Sequence, residues 1–183
     1  DSQSKLHSFN DWHQWKQMDK IGHAATAWYV SQFAHGLFDW SGLDKRKSMW
    51  LGAGVSFGYL ATIELMDGFS KDWGFSWSDM GFNTLGSALF VSQKFLFDAQ
   101  PIKLKYSFHK SGLAQLRPTV LGATFAAQLL KDYNGQTYWL SANIWSFNKE
   151  SSFPKWLNIA LGYGAEGMLY GNTNNTNPIP QEP

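Results

Sequence analysis

The stretch MDKIGHAATAWYV, Met18 to Val30, sets an acid, a base and an imidazole at the head of an apolar run. Ala24, Ala27, Trp28 and Ser31 recur at three-and-four spacing, which predicts a helix from Asp19 to a stop between Gly36 and Gly42. Asp19 and His23 stand four apart and share one face of it. Ionisable groups on a face about to be buried are costly unless they pair with each other, with a metal or with backbone donors. The rest of the chain must supply those partners.

Reading outward, two more helix ends offer them. After the basic break DKRK (Asp44 to Lys47) a second apolar run, MWLGAGVSFGYLATIELM, ends at Asp67-Gly68 and carries Glu64 and Asp67 at i,i+3 spacing. Its Gly54 and Gly58 form a small-xxx-small pair that would let two helices approach closely. The loop GFSKDWGFSWS (68–78) leads into a third helix, DMGFNTLGSALFVSQKFLF (79–97). Ser76 or Ser78 would cap that helix, with Asp79 in its first turn and Asn83 one turn on. Three polar pairs at three helix ends are expected to converge.

The character changes after Pro101. IKLKYSF (102–108) alternates, PTVLGATFAAQLL (118–130) returns to helical spacing behind Pro118, and QTYWLSANIWSF and KWLNIALGYG alternate again. The predicted fold is α+β: a bundle of three to four apolar helices followed by amphipathic antiparallel strands at 102–108, 137–147 and 156–163. By this plan residues 1–18 are a polar and aromatic lead-in containing a short interfacial helix. Residues 19–100 are the helical domain, 101–170 a mixed helix and strand extension, and 171–183 an Asn- and Pro-rich flexible tail.

Composition narrows the function. The 183 residues suit one domain, the net charge of +1 is spread without a basic stripe, and nucleic acid is excluded as a partner. No cysteine is present, which removes thiol chemistry, disulfides and Cys-based zinc sites, and leaves no lipid-attachment cysteine in these residues. Aromatic residues make 17% of the chain against 16% charged, with 10 tryptophans, a balance suited to an interface between dry and wet surroundings. The opening DSQSKLHSFNDW has neither a charged n-region nor an apolar h-region, and a signal peptide is expected to have been removed. His23, Ser31, Gln32, His35, Glu64, Gln93 and Lys94 interrupt the helical runs, and the mean hydropathy is −0.31. The runs therefore read as buried or half-embedded helices of a compact bundle, not as three independent spans.

The polar set supports two readings. In one, His23 with Asp19, Glu64, Asp67 and Asp79 binds a divalent cation, or His23 acts as a base oriented by a carboxylate. In the other, which is favoured, Lys20 neutralises Glu64 or Asp67, Asp79 caps its helix, Asn83 satisfies a backbone group and His23 is a hydrogen-bonded core residue. GYGAEG (162–167) matches a dinucleotide fingerprint but lacks the helix, second strand and distal acid that the motif needs. No G-x-S-x-G elbow is present.

The order D-K-x-x-H, then E-x-x-D-G, then D-x-x-x-N-x-x-G resembles the YfiM-like predicted cell-envelope proteins and, more distantly, the VanZ-like membrane family. Asp19, Lys20, His23, Glu64, Asp67, Gly68, Asp79, Asn83 and Gly86 carry the resemblance, over roughly residues 15–95. KDYNGQTYWLS (131–141) and WLNIALGYGAEGM (156–168) look like extensions of longer Bacteroidetes members, which implies further chain past Pro183. The resemblance implies an envelope location and supplies no reaction. VanZ-like chains have longer, cleaner apolar helices than these.

The expected function is a membrane-associated, non-enzymatic accessory subunit of a cell-envelope assembly on the periplasmic side of the outer membrane. Its partners would be lipid and other envelope proteins, among them an outer-membrane barrel, and it would need no cofactor. Trp139 and Trp145 are expected to share one face of a strand and to form its interface. The alternatives are a metal-assisted hydrolase or transferase acting on a lipid-linked phosphate, using a divalent metal, or a lipid or small-ligand binder.

Overall fold

Among the described residues, three long antiparallel helices come first and a three-stranded sheet with two short helices follows, an α+β arrangement. The computed structural model describes residues 4–71 and 73–172; the tail expected to be flexible lies, from residue 173 on, outside the described residues. The bundle runs up, down and up as α1 (Met18–Trp40), α2 (Lys45–Asp67) and α3 (Trp77–Phe97). Asp44 caps α2 by accepting from the Arg46 and Lys47 N–H groups, and Ser76 caps α3 by accepting from the Asp79 N–H. The start of α1, the end of α2 and the start of α3 therefore meet at one end of the bundle.

What packs between the helices is small and polar. Ala27, Ser31 and Ala34 of α1 face Gly52, Ala53 and Ser56 of α2 and Asn83, Gly86 and Ser87 of α3, all buried. Ser56 Oγ donates to the Ala27 carbonyl at 2.8 Å, crossing directly between helices. Gly86 lies against the Ala24 carbonyl, and a Cβ on Gly52 would stand 2.7 Å from the Ser31 carbonyl oxygen. Gly54 and Gly58, expected to make this close approach, face open space; the helix phase puts Gly52 on the contact side instead. Near the sheet the interior becomes larger and more apolar, with Trp28, Met49 and Phe90 packed with Ala53 under Leu104.

The sheet has the order β1 (Ile102–Phe108), β2 (Gln136–Asn143), β3 (Asn158–Gly164), antiparallel throughout. Leu104 pairs with Leu140, and Leu140 with Leu161, so these residues share one face, which Tyr29 ties to α1 by donating to the Leu104 carbonyl at 2.8 Å. Trp139 pairs with Lys105 and lies on the opposite face, itself 37% exposed. The strand expected over 137–147 stops at Asn143, whose carboxamide oxygen caps a 3-10 turn by accepting from the Ser146 N–H. Trp145 belongs to that turn and does not share a strand face with Trp139. The helix expected over 118–130 is two, α4 (Pro118–Leu121) and α5 (Phe125–Lys131), parted at Gly122, whose φ of 102° only glycine takes readily.

Among the described residues of the lead-in, the expected interfacial helix is not formed. The segment runs extended past the 68–78 loop, with one parallel bridge between Ser8 and Phe75, and closes in a 3-10 turn, Gln14–Gln17. Trp15, Lys16 and Gln17 all have positive φ, a costly conformation for residues with side chains. The turn is held from outside: the Trp15 N–H donates to the Gly171 carbonyl at 2.8 Å, and the Tyr163 hydroxyl donates to the Lys16 carbonyl at 2.8 Å. Its indole is buried with Met18, Leu121 and Met168.

Candidate functional site

The sharp turn at Trp15–Gln17 brings Asp11 back to the bundle end where α1, α2 and α3 converge. There Lys20, 1% exposed, projects from the first turn of α1 and is surrounded by acids. Its ammonium donates to Asp11 Oδ2 at 2.5 Å, to Asp79 Oδ1 at 2.5 Å and to Asp19 Oδ2 at 3.0 Å. The partners expected for Lys20, Glu64 and Asp67, are not the ones it takes; Glu64 lies against the other edge of His23 instead. Three carboxylates around one lysine is an arrangement in which charge, not apolar area, sets the geometry.

Each acid has its own environment. Burial alone would raise Asp11, but hydrogen bonds from Lys20, Ser78 and Ser76 hold it down at about 2. Ser76 and Ser78 donate to its Oδ1 at 2.8 Å and 2.7 Å. Asp79 goes the other way. Burial, and then the charge of Asp19, push it up to about 7 despite the bond from Lys20. Burial works against the Lys20 charge as well, but Asp19 and the hydrogen bonds of Asp11 and Asp79 lift it above the usual lysine range. Asp19 and Asp79 also sit in the first turns of α1 and α3, where the helix dipoles favour negative charge.

His23 is the centre of the remaining set. Its Nδ1 donates to Asn83 Oδ1 at 3.1 Å, and the same nitrogen lies 3.8 Å from Glu64 Oε1. Its Nε2 stands 3.7 Å from Asp19 Oδ1 and 3.7 Å from Asp79 Oδ2. Glu64 accepts from the Ser76 N–H at 3.2 Å, so the end of α2 and the cap of α3 are locked together. Asn83, expected to satisfy a backbone group, instead orients the imidazole. Asp79, expected to cap α3, donates its backbone N–H to the cap residue Ser76. The structure thus brings Asp19, Lys20, His23, Glu64, Asp79 and Asn83 into one cluster. Asp67 lines the cavity of about 390 Å³ on which the cluster opens, with Trp73 and Tyr133. Trp139 and Trp145 are remote from it, on the sheet and its following turn.

Two members carry no signal at the level of periodicity. Asp11 is a lone acid in an irregular segment, and only the positive-φ turn returns it to the bundle. Tyr133, from the 3-10 turn Tyr133–Gly135 after α5, donates its hydroxyl to Asp19 Oδ1 at 2.6 Å. The tyrosine in KDYNG read only as part of a turn. Beyond Tyr133 an apolar groove of about 640 Å³ runs along α1 between Tyr29, Leu60, Ile63, Tyr106 and Tyr138, and it shares Asp19 and His23 with the polar cavity.

Among known proteins, no curated protein and no solved structure matches this chain. Residues 9–94 match the model of a family described as "Predicted periplasmic lipoprotein (DUF2279)". The matched segment begins just before Asp11 and ends near the close of α3, so it contains every cluster residue except Tyr133. The match supports a cell-envelope lipoprotein family and a periplasmic location for a chain built around this cluster.

Proposed function

We propose that the protein is a membrane-seated component of the cell envelope, its helical bundle in contact with lipid and its sheet open to a partner. One observation carries this reading: apart from Trp28, Met49, Leu60 and Phe90, the side chains packed between the helices are mostly small or polar, while many large apolar ones face outward. Phe33 and Trp40 of α1, Trp50 and Tyr59 of α2 and Leu85 and Leu96 of α3 all face outward, Phe33 being 70% and Trp40 87% exposed. In water the large apolar groups would be inside. In lipid, where apolar surface gains nothing by burial, helices associate through small residues and interhelical hydrogen bonds.

Length and charge distribution agree with a lipid seat. The helices have 23, 23 and 21 residues, or about 31–34 Å at 1.5 Å per residue, against a hydrocarbon core of about 30 Å. Residues 24–38, 48–63 and 80–93 contain no Asp, Glu, Lys or Arg. By length and composition α2 is the helix apolar enough to cross a membrane. α1 and α3 would sit in lipid as members of the bundle.

The accessory role rests on the sheet. β3 is exposed along its whole length and has no strand on its outer edge among the described residues. Ile159 and Leu161 extend the apolar face beyond α1. An unpaired apolar edge is a template for strand addition, and an outer-membrane barrel or a further segment of envelope protein would complete it.

Alkaline carbonate extraction of membranes from cells making the full chain, followed by reconstitution with brominated lipids, tests the reading. Retention in the pellet and strong quenching of tryptophan fluorescence are expected. Release as a soluble monomer with unquenched tryptophans would overturn it.

A further inference from the structure

We propose that Asp19, His23 and Asp79 form a site for one divalent transition-metal ion at the cavity-facing end of the bundle. The inference does not depend on the lipid seat. Because His23 Nδ1 donates to Asn83 Oδ1 at 3.1 Å, the neutral ring carries its proton on that nitrogen and presents the lone pair of Nε2. That lone pair faces Asp19 Oδ1 and Asp79 Oδ2, each at 3.7 Å. Three acceptors turned toward one another, too far apart for hydrogen bonds, are the donor set of a cation. One ligand atom from each residue lies within 4.8 Å of the others. Ligands of a common ion at about 2.0–2.2 Å stand roughly 3–4 Å apart, the separation the imidazole keeps from each carboxylate.

The groups behind these three residues have the pattern of a metal's outer shell. Lys20 takes the outward oxygens, Asp19 Oδ2 and Asp79 Oδ1, and so leaves the inward oxygens of both acids turned toward His23. Tyr133 donates to the same oxygen, Asp19 Oδ1, at 2.6 Å, orienting it and leaving its other lone pair for an ion, and Asn83 fixes the ring and its tautomer. Asn83 is wholly buried and accepts at the Nδ1 edge of the ring, which leaves the Nε2 edge to the two carboxylates. One nitrogen with two carboxylates suits Zn²⁺, Mn²⁺ or Fe²⁺ better than soft Cu⁺. Three protein ligands leave coordination open toward the cavity, the arrangement of a site that takes an exchangeable ligand.

The test uses the full chain purified in mild detergent, stripped with a chelator and titrated separately with Zn²⁺ and Mn²⁺. Metal content is read after gel filtration. The wild type is expected to retain a single equivalent, as is His35→Ala, which removes the imidazole at the other end of the bundle. His23→Ala and Asp79→Asn should bind at least about 10-fold more weakly, and Tyr133→Phe about 10-fold. Circular dichroism reports whether each variant folds. Should the core variants unfold, ¹⁵N NMR of the wild-type imidazoles decides: a Zn²⁺-induced shift at one Nε2 supports the site. A wild type that retains no metal, a folded His23→Ala that binds as well as wild type, or a Zn²⁺ titration that moves no imidazole overturns it.

Discussion

The two ends of the helical bundle use the same residue types to opposite effect. At one end Lys20 is buried among Asp11, Asp19 and Asp79. At the other, Lys45 meets Asp98 at 3.0 Å with side chains 74% and 65% exposed, beside Arg46 and Lys94 around an open cleft. The first end is built around a largely buried charge cluster, with Lys20 1% exposed. The second holds an ion pair that water screens. Proximity of opposite charges is common to both; what differs is whether the partners have been desolvated, and only then does loss of one partner strand the others.

Substitutions should separate the ends in order. Lys20→Met, close in size and without charge, leaves three acids facing each other and is expected to destabilise by about 3–5 kcal/mol in chemical unfolding. A loss smaller than that of an ordinary surface change would show that the cluster is solvated after all. The middle of the bundle is the control for both ends. Gly86→Ala and Gly52→Ala each drive a methyl group into the α1 backbone and should cost about 1–3 kcal/mol, whichever end they are nearer. Ser76→Ala removes the cap of α3 together with one of the bonds to Asp11, and about 1–2 kcal/mol is expected. Lys45→Met should leave the melting temperature unchanged; a clear drop there would abolish the contrast between the ends.

Much of this was legible in the residues, for identifiable reasons. Asp19 with His23, and Asp79 with Asn83, recur at one-turn spacing, and Glu64 precedes a helix end. Once three helices are read as antiparallel neighbours, their polar ends can only meet. The fold class followed from the change from helical to alternating periodicity at Pro101. Other features were out of reach because they depend on phase or on distant chain. Gly54 and Gly58 look as suited to close contact as Gly52 does, and only the rotation of α2 against α1 distinguishes them. Nothing in the sequence around Asn143 signals that its side chain ends β2 by capping, so the alternation puts Trp145 on a strand it does not join. Lys20 lies among acids, but not the Glu64 or Asp67 that spacing suggests, and Asp11, one of its two nearest partners, arrives through a backbone turn that no pattern of side chains encodes.

That turn at Trp15–Gln17 also fixes when the cluster can exist. Three residues in left-handed conformation do not persist unaided, and the groups that hold them come from Tyr163, Met168 and Gly171, roughly 150 positions later in the chain. Tyr133, which orients Asp19, is itself more than a hundred residues away. Contacts of such sequence separation form slowly, because the entropy of closing a large loop comes before any gain. During synthesis the three helices can pair as soon as α3 emerges, with Lys20 still short of Asp11, one of its two nearest carboxylates. The polar end of the bundle is therefore the last part to mature, and a chain arrested before β3 would carry the helices without a finished site.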